Sequence, residues 1–295
     1  MAAEKPKVVY VMGTGRSGST ILGIALGNSP RILYAGELHL WIGKSGVSPL
    51  GGENRERFWR EVRELVDVPA GFPVKKARAL EKTAGLFSVA TWLAQWRLRP
   101  AYRRMTAELY SAIAQVAAAT HIVDTSHFPR RARQLQALEE IELHLLFVVR
   151  DPQNVVGSYA RDDVDFPRFN ILTTNAYMWL SHLLSLYVFL RQPRQRRLLI
   201  RYEELIADPE AVLGSILESV GSPAAVPDLS ALETGVAFQG NGLLRDEVVA
   251  LEPQPQRAAP GSRLTRLLNL PWKLVFSKLE PSIRSGSSGG AGRPA

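Results

Sequence analysis

Short apolar runs alternate along the chain with longer stretches whose apolar residues recur at helical spacing. Segment 7–12 (KVVYVM) is rich in β-formers and stops at glycine, and the next apolar segment, 20–27, has the length and spacing of a helix. Two further β-rich runs, His121–Val123 and Leu143–Val149, are each preceded by a helical stretch, and Leu198–Arg201 gives a fourth. Alternation of this kind implies a parallel sheet with helices on both faces. The near-continuous apolar run LHLLFVV suits a strand covered on both sides, which places it at the sheet centre. From residue 53 to 119 the pattern is helical throughout, with Trp59, Trp92 and Trp96 among charged residues, and reads as an insert or lid. The expected layout is one α/β domain over 1–248, a Pro-rich linker at 249–262, a helical segment at 263–283 and a disordered tail at 284–295.

Length and composition fit this layout. The 295 residues are enough for one large domain, and 46% hydrophobic with 22% charged residues is ordinary for a globular chain. The formal charge of +8 favours anionic partners without selecting among them. The absence of cysteine excludes disulfides, thiolate metal sites and cysteine nucleophiles. The first residues hold only a five-residue apolar run, shorter than a secretion signal requires, so a cytoplasmic chain is expected. Segment 264–278 mixes apolar residues with Arg and Lys, and reads either as a helix packed on the domain or as a peripheral contact with a membrane surface.

The chemistry concentrates in GTGRSGST (13–20). Its spacing is that of the phosphate-binding loop G-x-x-x-x-G-K-[ST], except that Ser19 stands where the lysine should be. Glycines let successive N–H groups point inward, and the following helix offers its positive end to an anion. Arg16 supplies a fixed cation with a planar fork suited to oxyanions. Without the lysine, the loop suits an anion better than a magnesium-bound triphosphate.

The block VVYVMGTGRSGSTILGIALGNSPRILYAGE resembles the opening of sulfotransferases that use 3'-phosphoadenosine-5'-phosphosulfate (PAPS), in particular bacterial and Golgi-type members with arginine in the loop. LLFVVRDPQNVVGSYARDD (145–163) and LLIRYEELIADPEAVLGSILESVG (198–221) are similar to later blocks of the same family. The resemblance implies a P-loop-type central parallel sheet flanked by helices. It implies that Gly15, Arg16, Ser17, Gly18, Ser19 and Thr20 hold the 5'-phosphosulfate, with Arg16 stabilising charge on the bridging oxygen. It also implies that Arg150 and Ser158 bind the 3'-phosphate, and that Tyr202 approaches adenine or else packs in the core. For Arg150 an ion pair with Asp151 is the plain alternative. FQGNGLLRDE (238–247) resembles a late family block, so Gly240, Asn241 and Arg245 either close over the nucleotide or form a simple turn.

A general base must take the acceptor's proton. Glu37, after a second short strand, is the first candidate by resemblance, and His39 is the alternative. In IVDTSHFPRRARQL (122–135) the family's common Asp-Ser-Ser-Lys becomes Asp-Thr-Ser-His, so His127 is either a pH-dependent donor to the acceptor side or an ordinary loop residue. Arg130, Arg131 and Arg133 are expected on a solvated helix face. No metal is expected, and the partner is a small-molecule, glycan or lipid acceptor, not nucleic acid. A magnesium-ATP kinase and a non-enzymatic polyanion binder are the rival readings. Trp41, Trp59, Trp92 and Trp96 serve either acceptor stacking or the core.

Overall fold

The computed structural model describes residues 5–69, 71–81, 89–159, 171–253, 263–272 and 274–275. In chain order β1 (Lys7–Met12), α1 (Ser19–Gly27) and β2 (Ile32–Gly36) are followed by three insert helices, α2 (Glu53–Glu64), α3 (Val74–Glu81) and α4 (Val89–Ala117). Then come β3 (His121–His127), α5 (Pro129–Leu135), β4 (Glu142–Val149), α6 (Pro152–Tyr159), α7 (Ile171–Leu190), β5 (Arg197–Arg201), α8 (Tyr202–Ala207) and α9 (Pro209–Ser219). A two-residue pair, β6 (Leu232–Glu233) with β7 (Val248–Val249), and α10 (Arg263–Leu268) complete the described chain.

The five main strands are parallel in the order β2-β3-β1-β4-β5. The middle strand is therefore β1, and the apolar run of β4 lies beside it. The expectation for Leu143–Val149 is corrected in position only, because an apolar strand flanked on both sides by others has the same covered faces as the central one. Side chains alternate between two cores. Val8, Tyr10 and Met12 join Tyr102, Tyr110, Phe147 and Phe189 on one face, while Val9 and Val11 join Leu22, Ile24, Leu146, Leu213 and Ile216 on the other. Each such fully buried side chain contributes roughly 1.5–3 kcal/mol of transfer free energy.

Trp41 and Trp59 are 1% exposed and belong to the core, and the Trp59 indole N–H donates to Val236 O at 2.7 Å. The C-terminal segment packs on the domain: Trp272 and Asn269 are buried, Asn269 donates to Asn175 at 2.7 Å, and Trp272 lies 4.0 Å from the His182 ring. Leu267, Leu270 and Leu274 face outward. The side chains of Trp92 and Trp96, most of 249–262 and the tail 284–295 lie outside the described residues. No described helix is long and apolar enough to cross a membrane.

Helix α1 can lie close on β2 because Gly23 faces Tyr34, where an added Cβ would stand 2.3 Å from the ring. Gly23→Ala should therefore destabilise the fold by about 1–3 kcal/mol, read as a lower denaturant midpoint. An unchanged midpoint would mean that this contact does not set the spacing of helix and sheet.

Candidate active site at the carboxyl ends of the strands

All five parallel strands deliver a polar residue to one edge. In spatial order these are Glu37 after β2, Thr125, Ser126 and His127 at the end of β3, the loop Gly13–Ser19 after β1, Arg150 after β4 and Tyr202 after β5. The connection leaving β1 runs toward β2 and the one leaving β4 runs toward β5, so the edge between them is the switch point where open α/β sheets collect ligands.

The loop is held open by its neighbours. Arg16 has φ 67° and Gly18 has φ 89°, both left-handed, and Gly18 immediately precedes the nine-residue α1. Arg150 donates to Arg16 O at 2.8 Å, and its guanidinium lies 4.3 Å from the centre of the Tyr202 ring. That ring covers Gly18 so closely that a Cβ there would lie 2.3 Å from it, which makes the glycine obligatory. The predicted loop residues, Arg150 and Tyr202 are thus brought together. Among the described residues Arg150 forms no ion pair, and the Asp151 backbone N–H donates to the Glu203 carboxylate at 2.8 Å.

Three buried polar atoms at the loop, Thr14 Oγ1, Ser17 Oγ and Arg150 Nε, have no hydrogen-bond partner among the described residues. Buried donors are rarely left so, and these lie at the turn that leads into the N-terminus of α1. The arrangement fits an oxyanion. Ser158 falls on α6, and its side chain lies outside the described residues.

Glu37 occupies the other half of the edge. A crossing segment clamps it: Glu37 N donates to Gln239 O at 2.7 Å, and Phe238 N donates to Ala35 O at 2.9 Å. Burial, reinforced by Asp124, raises the Glu37 carboxyl to about 7. Asn241 and Arg245 follow this clamp. Asn241 caps its own turn by accepting the Gly242 N–H, and both residues are exposed. His39 is buried against Phe128, with ring centroids 4.8 Å apart, and lies 6.0 Å from the His127 ring. Burial lowers His127 to about 4, so it is neutral near pH 7 and is no pH-dependent donor there.

Arg131 does not lie on the solvated helix face expected for it. Arg130 is half-buried and Arg133 exposed, but Arg131 is 1% exposed. It pairs with Glu81 at 2.6 Å and Asp124 at 3.1 Å, and donates to Tyr102 and Tyr110 at 2.8 and 3.2 Å. Burial raises the Glu81 carboxyl while Arg131 pulls it back. The signal lay in the acid within β3 together with the acid and tyrosines of the insert, and only the tertiary contact joins them. Among the described residues, no group of three or more His, Asp or Glu is arranged to hold a metal ion.

Fold and edge together define an α/β protein whose first crossover turn has the form of an oxyanion site. The family described as "Sulfotransferase family" matches residues 6–226, so the chain belongs to it. The chain is similar in structure to the sulfotransferase domain of the Synechococcus PCC 7002 olefin synthase, with 19% identity, a TM-score of 0.54, and coverage of 94% of this chain and 97% of that one. It is also similar to the sulfotransferase domain from the curacin biosynthetic pathway, with 18% identity, a TM-score of 0.52, and coverage of 94% and 99%. No curated protein matches.

The native Glu37 carboxyl holds its proton more tightly than the unfolded one, so its contribution to stability is full below the ordinary value of 4.5 and is lost as pH rises through about 7. Glu37→Gln should therefore gain about 1–3 kcal/mol over the parent near about pH 8, a gain that disappears toward about pH 4. Denaturation at both pH values checks this. Equal stabilities throughout would place Glu37 in water.

Proposed function

We propose that this sulfotransferase takes its sulfuryl group from PAPS and delivers it to an acceptor hydroxyl, with Glu37 as general base. The observation that carries the reading is the shared edge: a loop suited to an oxyanion and a half-buried carboxyl tuned to about 7 stand at the ends of strands in one sheet.

The amides and hydroxyls of Gly15–Thr20 bind the phosphosulfate, with Arg16 directed at its oxygens. Arg150 and Ser158 take the 3'-phosphate, and Tyr202 takes the adenine side. Asn241 and Arg245 close over the 3'-phosphate side of the nucleotide, and His39 and His127 serve the acceptor side. The acceptor oxygen attacks sulfur in line as its proton passes to a Glu37 oxygen. The bond from sulfur to the bridging oxygen breaks, and adenosine 3',5'-bisphosphate leaves with that electron pair. Arg16 and the loop N–H groups meet the negative charge growing on the bridging oxygen, which carries less charge than a triphosphate tail. No metal is assigned a step. The insert shapes the acceptor pocket, and the acceptor is a carbohydrate, lipid or natural-product hydroxyl.

Transfer of label from sulfur-labelled PAPS to acceptors in an extract of the host supplies the assay. Turnover should rise with pH through a midpoint of about 7, because the base works only when deprotonated. Glu37→Gln should lower kcat by about 10²–10⁴ while chelators leave the rate unchanged. An active Glu37→Gln enzyme with a flat profile would remove Glu37 from this role and return it to His39.

A further inference from the structure

Asp124 is fully buried in the middle of β3, yet its two oxygens face opposite ways in function. Oδ2 accepts from Tyr110 at 2.6 Å and from Arg131 at 3.1 and 3.2 Å. Through Arg131 it reaches Glu81 at 2.6 Å and Tyr102 at 2.8 Å, and Tyr102 itself donates to Glu81. Glu81 lies on α3, and Tyr102 and Tyr110 lie on α4, so this side of Asp124 belongs to the helical insert. Oδ1 accepts from the Ser126 N–H at 2.8 Å and from the Ser126 hydroxyl. The same hydroxyl oxygen accepts the His39 N–H at 3.0 Å. His39 sits in the turn Leu38–Leu40 that Glu37 opens, and Leu40 N closes that turn on Glu37 O at 3.2 Å. One unbroken path of direct hydrogen bonds thus runs from the insert to the turn that bears the proposed base.

A cluster of one arginine, two carboxyls and two tyrosines is a poor way to stabilise a core, since apolar residues of similar volume do as well or better. Its value lies in fixed geometry, because every bond has a direction and a length. We infer that Asp124 and Ser126 are positioning residues that tie the Glu37 turn to the helical insert, so that the placement of α3 and α4 sets the aim of the Glu37 carboxyl. This rests on the reading of Glu37 as base, and deepens it: an acceptor seated against the insert and the group that deprotonates it are registered through one set of bonds. The titratable groups facing Glu37 are Asp124 on β3 and Tyr34 on β2, with His39 on its own turn and His127 at the end of β3, ring to ring with His39 at 6.0 Å.

Ser126→Ala cuts the path at one atom, and Tyr110→Phe loosens it from the insert side. Two readouts are needed: label transfer across pH, and titration of the Glu37 carboxyl by carbon NMR in protein labelled at glutamate, assigned with Glu37→Gln. In Ser126→Ala, kcat should fall about tenfold with the KM for PAPS held within about twofold, since the base and not the donor loop is misplaced. The Glu37 midpoint should drop toward the ordinary carboxylate range as the turn opens to water, and Tyr110→Phe should move it the same way by less. Parent-like titration and kcat in Ser126→Ala overturn the relay. A response to Ser126→Ala with none to Tyr110→Phe overturns the link to the insert. Failure of the base reading looks different: the NMR midpoint moves in the variants, but the midpoint of the rate does not follow it.

Discussion

The turn from β1 into α1 is the constraint on which the rest of the edge depends. Its N–H groups can converge on an anion only if Arg16 and Gly18 adopt left-handed backbone, a conformation that costs a non-glycine residue about 1–2 kcal/mol. The cost is offset from two other strands: Arg150 holds the Arg16 carbonyl, and the Tyr202 ring closes on Gly18. Arg150 and Tyr202 also touch each other, so the loop, β4 and β5 form one unit. A sheet that placed these strands in another order could not keep the loop open.

The same sheet order divides the labour. Cationic and N–H groups meet at the ends of β1, β4 and β5, the half proposed to hold the anion, while β2 and β3 carry a carboxyl and two histidines in drier surroundings. A carboxyl moved to the first half would be held ionised by its cationic neighbours, and so would be a weaker base than one whose pKa lies near neutrality. Burial on the second half, with Asp124 adding repulsion, is what makes Glu37 a carboxyl that exchanges its proton near pH 7. The buried Arg131 cluster links this half to the insert through hydrogen bonds, so the turn that Glu37 opens is tied to contacts far from it in sequence.

Much of this was legible in the chain itself. The strand, glycine loop and helix at 7–27 follow from local pattern, and so does the identity of the parallel strands, because period and turn chemistry are local properties. Residues adjacent to strand ends, such as Glu37, Arg150 and Tyr202, could be placed at the edge once the sheet was parallel. The exact rank of β4 in the sheet was not legible, since an apolar run looks alike in any interior strand. Arg131 was misjudged for a deeper reason. An arginine between two others at a helix start reads as solvated, and only Glu81, about fifty residues away, and the tyrosines of the insert give it a buried partner set. The low value of His127 likewise comes from burial that no local pattern records.

Calorimetric titration of the protein with adenosine 3',5'-bisphosphate in the presence of a chelator tests the central claim most directly. The account predicts saturable binding without metal, weakened by about tenfold or more in Arg16→Ala as charge-assisted bonds to the ligand are lost. No heat with the bisphosphate, together with tight binding of magnesium-ATP, would contradict it.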